Sequence, residues 1–272
     1  MTSRAVCFLA VLLSLGGTAA GKDSDFHEAA VEPVAMPPPS GRLVVGERIS
    51  YHGRWFALPV GHGWIEVKEL TTLNGRAAYL IEAQGHTNDV LSKLYPIHDT
   101  LKSYIDAETL RPLQFEKYQR EGRYRADEIV TFDYERLIAT YRSLLNGSVK
   151  EVPIPADVQD LLSTFYWLRT QVADPSRGAV LNIYSDEKVF RTEFEPLQTV
   201  TLELLKRGTF QCLVMEPKAE FKGVFVKRGR VLTYVRADAR RLPLLIRITT
   251  PWGPITGVID ADSLNPPEAK ED

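Results

Sequence analysis

The chain has 272 residues, 44% of them apolar and 25% charged, the balance of an ordinary folded protein rather than a disordered or fibrous one. A formal charge of −2 leaves a field too weak and too mixed to gather nucleic acid or an anionic membrane from a distance. Of its two cysteines, Cys7 falls in the expected leader, which leaves Cys212 alone and the mature chain without an internal disulfide.

The chain opens on Met1-Thr2-Ser3-Arg4, a positive start, followed by an apolar run over residues 5–15 (AVCFLAVLLSL). That run is shorter than the roughly 20 residues needed to cross a bilayer. Small residues follow at 16–20 (GGTAA), as a signal peptidase requires. Residues 1–20 are therefore expected to be an export signal, delivering the protein to the periplasm or the periplasmic face of the envelope. Residues 21–41 are acidic and then proline-rich (Met36-Pro37-Pro38-Pro39-Ser40-Gly41). Such a segment buries too little to offset its ordering entropy and reads as a disordered tether. No later apolar stretch reaches spanning length, so no transmembrane span is expected in the mature chain.

From 42 to 262 the chain reads as one β-rich domain. Aromatic and β-branched residues alternate over 46–58, 63–71, 76–87, 95–106, 112–121, 123–134 and 137–144, the period of half-buried strands. Asn74-Gly75 predicts a tight hairpin, since a type I′ turn needs positive φ at both central residues; Asn146-Gly147 marks a second turn. A further series covers 180–184, 189–195, 199–205, 209–216, 231–238, 244–250 and 255–260, with a turn at Lys227-Arg228-Gly229-Arg230. Between the two series the period changes. Val158, Leu161, Leu162, Phe165, Leu168 and Val172 recur at helical spacing. Asp157 is the expected N-cap, Asp160 adds charge to the first turn, and Asp174-Pro175 is the stop. A shorter helix is expected near 88–94, and residues 263–272 read as a disordered tail. The fold class that follows is mainly β: a large curved antiparallel sheet or partly closed β-barrel wrapped around one amphipathic helix at about 157–173.

Chemistry-bearing residues are sparse. His27, His52, His62, His86 and His98 show no H-x-x-x-H or H-E-x-x-H spacing, so no metal is expected. There is no G-x-S-x-G elbow, and Ser163 falls on the helix. Cys212 lies in Phe210-Gln211-Cys212-Leu213-Val214, where a free thiol behaves as a small buried apolar group. Gly61-His62-Gly63 lacks the third glycine of a dinucleotide loop, and no cofactor is implied. Arg236, Arg240 and Arg241 cluster around Asp238 and are expected to pair with carboxylates. Carboxylates such as Asp99, Asp106, Asp157 and Asp160 are explained by capping and solvated strand faces, although paired carboxyl groups could serve acid–base chemistry. The aromatic residues Tyr51, Trp55, Trp64, Phe165, Tyr166, Trp167 and Trp252 either fill the core or line an opening. The residues singled out as facing a ligand or partner are Trp55, Trp64, His98, Asp99, Tyr166 and Trp167.

A set of short motifs recurs in order: Gly46-Glu47 with Tyr51 and Trp55; Gly61-x-Gly63; Tyr95-Pro96-Ile97-His98-Asp99; Ser103-Tyr104-Ile105-Asp106; Thr109-Leu110-Arg111-Pro112. The most specific runs from Val158 through Arg169 (VQDLLSTFYWLR), followed by Glu216-Pro217 and Asp238-Ala239-Arg240-Arg241-Leu242-Pro243-Leu244. Over residues 46–259 the chain thereby resembles the bacterial domain-of-unknown-function family 3108. The resemblance implies an exported, β-rich envelope protein and carries over no catalytic residues. The expectation is a non-enzymatic envelope protein that binds an apolar component (a lipid or glycolipid) or a partner protein through its curved sheet. The alternatives are a periplasmic hydrolase of cell-wall sugar or lipid using Asp99, His98 or Asp106, and an assembly module pairing through a sheet edge.

Overall fold

Alternation of apolar and polar side chains, carried through hairpin after hairpin, produces a single antiparallel sheet. The computed structural model describes residues 25–39, 43–219, 230–250 and 253–265. The expected leader, residues 227–229 of the expected turn, and Trp252 lie outside them. The first series of strands is β1 (Phe26–Val31), β2 (Arg48–Trp55), β3 (Leu58–Leu73), β4 (Arg76–Thr87), β5 (His98–Asp106), β6 (Pro112–Glu121), β7 (Tyr124–Asp133), β8 (Ile138–Ser143) and β9 (Val149–Pro153), with a single-turn α1 (Asp89–Ser92) after β4. Helix α2 (Leu161–Thr170) leads to β10 (Ala179–Ser185), β11 (Lys188–Leu204), β12 (Gly208–Ala219), β13 (Arg230–Arg236), β14 (Pro243–Thr250) and β15 (Gly253–Ile259).

The sheet runs β1-β11-β12-β13-β14-β15-β2-β3-β4-β5-β6-β7-β8-β9, with β10 also on β11. The last strand therefore pairs with β2, Ile259 opposite Tyr51, and the two meanders become one surface. No strand pairing joins β9 to the other end among the described residues, so the barrel is not closed. The chain entering α2 fills that gap: Gln159 N–H donates to Asn182 O at 2.8 Å, and Tyr184 N–H donates to Gln159 O at 2.8 Å. Lys150 Nζ to Glu187 Oε2 at 2.7 Å adds an ion pair between β9 and the β10–β11 turn. Ile49, Ile65, Ile81, Ile105, Leu202, Leu204, Leu244 and Leu245 all point into the common core, which Leu162 and Tyr166 of α2 enter.

Local chemistry explains the turns and their exceptions. Asn74 and Gly75 stand at φ 50° and 81°, the type I′ turn that the dipeptide predicts. The two strands expected at 189–195 and 199–205 are one, β11, with a bulge between Pro196 and Gln198. Proline has no N–H to give the ladder, and a bulge accommodates it without ending the strand. At Gly61 an added Cβ would lie 2.2 Å from His86 O, so the close approach of β4 requires glycine there.

Three expectations need correction. Part of the expected tether is ordered: Phe26–Val31 pairs with residues 199–204 of β11, on the edge that β10 leaves free beyond the bulge. Only Phe26 of that strand is buried, so it shows no alternation in sequence, and its pairing rests on backbone hydrogen bonds. Ser263, assigned to the tail, is buried in a short turn, where its Oγ accepts from Ser50 N–H at 2.8 Å. Finally, α2 begins at Leu161 because Asp160 rather than Asp157 is the N-cap. Asp157 instead accepts from Asn182 Nδ2 at 3.0 Å.

The Asp160 carboxylate accepts from Leu162 N–H at 2.8 Å, Ser163 N–H at 2.7 Å and Ser103 Oγ–H of β5 at 2.5 Å. Ser163 Oγ returns an acceptor to Asp160 N–H at 2.8 Å, completing a capping box. Burial pushes the Asp160 carboxyl up to about 6, and these hydrogen bonds oppose that rise. Asp160→Ala removes the cap and strands the Ser103 hydroxyl, so it is expected to cost about 2–4 kcal/mol in urea denaturation. Asp160→Asn, which keeps an acceptor, is expected to cost clearly less.

Candidate functional site

The ten residues of α2 carry two apolar faces. Leu162 and Tyr166 face the common core. Leu161, Phe165, Leu168 and the following Val172, one turn apart on the adjacent face, instead line a cleft. The opposite wall is built by strand register: Met215, Thr233 and Ile246 lie side by side across β12, β13 and β14. Phe194 beside Pro217 and Val235 beside Pro243 supply the flanking rows. The cleft holds about 220 Å³, small beside the roughly 300–1,000 Å³ usual for ligand pockets. Its lining is apolar apart from Thr164, Thr233 and two guanidinium groups, Arg169 and Arg241.

Arg169, buried in the last turn of α2, grips Glu47 with both Nη atoms, at 2.9 and 3.0 Å, and donates from Nε to Arg240 O at 3.1 Å. Burial raises the Glu47 carboxyl, but the hydrogen bonds and charge of Arg169, aided by Arg240, outweigh it and hold Glu47 below the usual glutamate range. The pair ties the helix to the segment before β2 and to the β13–β14 turn. That turn carries Arg241, fully buried at φ +48°. Its Nη atoms donate to the carbonyls of Val172, Ala173 (3.0 Å) and Pro37 (2.8 Å).

A second polar cluster lies elsewhere in the interior. Lys117, Gln119 and Glu121 occupy alternate, inward positions of β6 beside Asp99 of β5. Lys117 pairs with Glu128 at 2.8 Å and Asp186 at 3.4 Å. Gln119 Nε2 donates to Glu121 Oε1 at 3.1 Å, and Arg120 N–H donates to Asp99 at 2.9 Å. Burial, and then the hydrogen bond and charge of Asp99, push the Glu121 carboxyl up to about 8. The cluster lies away from the cleft lining, and the raised Glu121 favours its protonated form.

The six residues singled out from the sequence do not come together. Trp55 is half-buried at the end of β2, 5.8 Å from the Phe56 ring. Trp64 is on the outer face of β3 under Arg48, 4.1 Å from its ring centre. His98 points outward, whereas the adjacent Asp99 points into the wall. Tyr166 is in the core with its hydroxyl buried and without a hydrogen-bond partner. Trp167 is half-buried on α2 and does not line the cleft. Asp106 caps its own turn through Thr109 and pairs with Arg76 at 2.7 Å. His52, His62, His86 and His98 fall in register across β2 to β5, the His62 and His86 rings 4.0 Å apart. Among the described residues, no three histidine, cysteine, aspartate or glutamate side chains are grouped to hold a metal ion. Of the cleft residues, the helical spacing of Leu161, Phe165, Leu168 and Val172 was visible in sequence. The strand wall became visible only once register joined β11 to β14.

A family model described as "Protein of unknown function (DUF3108)" matches residues 48–260. No curated protein matches the chain. Among solved structures, a beta-barrel-like protein of domain of unknown function DUF1849 from Brucella abortus superposes with a TM-score of 0.54 at 9% identity. The match covers 80% of this chain and 97% of that one, and it establishes likeness of fold.

The raised Glu121 group sets a direction for pH dependence. The folded chain keeps that proton up to about 8, whereas the unfolded chain releases it near 4.5. Its contribution to stability is thus complete below the lower value and lost as pH rises through the upper one. Thermal melts are expected to show a decline from pH 5 to pH 8 that Glu121→Gln, which cannot ionise, makes shallower.

Proposed function

The chain belongs to the DUF3108 family, and from that premise we propose that it is an exported, non-enzymatic cell-envelope protein that holds an apolar envelope component in the cleft between α2 and β11–β14. The observation that carries this reading is the cleft itself. An apolar stripe of α2, whose Leu161 and Phe165 also touch the core, faces an apolar strand wall across a cleft. Uncovered apolar surface of this kind is costly in water and is relieved by an apolar occupant. The exported character rests on the leader-like residues 1–20.

The hydrolase alternative has less to support it. His98 and Asp99 lie on opposite faces of the sheet, Asp106 is committed to its turn, and the Asp99–Glu121 pair is buried away from the cleft. A reaction centre needs such groups within hydrogen-bond reach of one accessible point.

Native mass spectrometry of the protein recovered from its own envelope is expected to show a bound apolar molecule. The uncharged probe N-phenyl-1-naphthylamine is expected to brighten on binding. Leu168→Glu, a change at a half-buried position, is expected to weaken that signal about tenfold with little change in melting temperature. Probe binding indifferent to Leu168→Glu would overturn the assignment of the cleft.

A further inference from the structure

We propose that the occupant of the cleft is an anionic amphiphile: a single apolar chain ending in a carboxylate or phosphate that is received by Arg241. This rests on the cleft being a binding site, and it adds the chemistry of the head group.

The inference comes from following each positive charge at that end of the cleft to its partner. Arg169 is neutralised by Glu47 through two hydrogen bonds. Arg240 shares the same carboxylate at 3.4 Å and donates to the carbonyls of Ser263 and Leu264. Arg236 pairs with Asp238 at 2.7 Å. Asp238 also accepts from the backbone N–H groups of Arg240 and Arg241, at 3.1 and 3.0 Å, without reaching the Arg241 guanidinium. Asp174 is turned to Ser176 and to Arg177, at 3.3 Å. Among the described residues at that end, Arg241 alone has no carboxylate within ion-pair distance, and Asp174 acts on it only through charge at longer range. Its Nη atoms meet only carbonyl oxygens, and its Nε is buried with no acceptor.

A buried charge without a counter-charge is unfavourable, and the cost is larger where the surroundings are apolar. Capping the carbonyls after α2 accounts for the Nη atoms but leaves Nε without an acceptor and the charge met only at a distance, by Asp174. Arg241 lines the cleft beside Val172 and Pro243. An anion at this point would accept from the guanidinium while its chain lay along Phe165, Leu168 and Ile246. A guanidinium is suited to carboxylate and phosphate alike.

The test is displacement of N-phenyl-1-naphthylamine from the purified protein by four ten-carbon ligands below their micelle concentrations: decanoate, decyl phosphate, decanol and decyltrimethylammonium. At least one of the two anions is expected to displace the probe at about one-tenth the concentration that decanol needs, with the cation weakest. Which anion is preferred separates a fatty acid from a phosphate-headed lipid. Arg241→Gln is expected to erase the preference and leave decanol unchanged. Arg241→Lys is expected to retain part of it. Equal displacement by decanol and both anions would overturn the head-group assignment while leaving the apolar cleft standing. A preference that survives in Arg241→Gln would equally overturn the role of Arg241. No probe binding, or none displaced by any of the four, would instead overturn the binding reading itself. Should Arg241→Gln not fold, the four-ligand series on the unaltered protein and on Arg241→Lys decides the matter.

Discussion

The buried pair of Glu47 with Arg169 is the contact on which the interior depends. It joins residues far apart in sequence: the approach to β2, the last turn of α2 and, through Arg240, the turn between β13 and β14. Removing either partner would leave the other as an unpaired charge inside an apolar shell, a loss of about 3–5 kcal/mol. The geometry matters as much as the energy. With its other end fixed by Asp160 against Ser103, α2 is pinned at two points and cannot roll to bury both of its apolar faces. One face goes to the core and the other is left to the cleft.

Much of this architecture was legible in the residues, and the exceptions share a cause. Hairpins were readable where turn chemistry is local, as at Asn74-Gly75, and α2 was readable from its three-four spacing. The start of α2 was misplaced because two aspartates three residues apart both suit a cap, and only the tertiary position of Ser103 and Asn182 distinguishes them. Strand β1 was hidden because its pairing with β11 uses main-chain groups and buries one side chain. The cleft was half legible. Its helical side is a pattern within twelve residues, whereas its other wall is assembled from four strands whose adjacency is a property of the sheet. Arg241 stood out in sequence only as part of a basic cluster expected to be paired with acids. Its want of a carboxylate in contact, among the described residues, is visible only in three dimensions.

The wall of the barrel is more polar inside than its strand pattern suggests. Asp99, Gln119, Glu121 and Lys117 form a polar patch in which Gln119 donates to Glu121, Asp99 accepts from the Arg120 backbone, and Lys117 pairs with Glu128 and Asp186. Burial and the neighbouring Asp99 favour the protonated form of Glu121, against the pull of Lys117. Glu47 and Glu121, two glutamates of one interior, are driven in opposite directions: one toward the charge by arginines that outweigh its burial, the other toward neutrality by burial and then by a neighbouring acid.

The union of β15 with β2 has a consequence for how such a molecule is made. The middle of its sheet joins a strand near the start of the domain to one near its end, so β2 and the strands after it, through β14, are made before β15, the second neighbour of β2, exists. Until residues 255–259 arrive, Ile49 and its companions have no roof, and closure then requires a contact spanning about two hundred positions, the kind of long-range search that slows folding. Loss of β15 would therefore split the middle of the sheet rather than trim its margin.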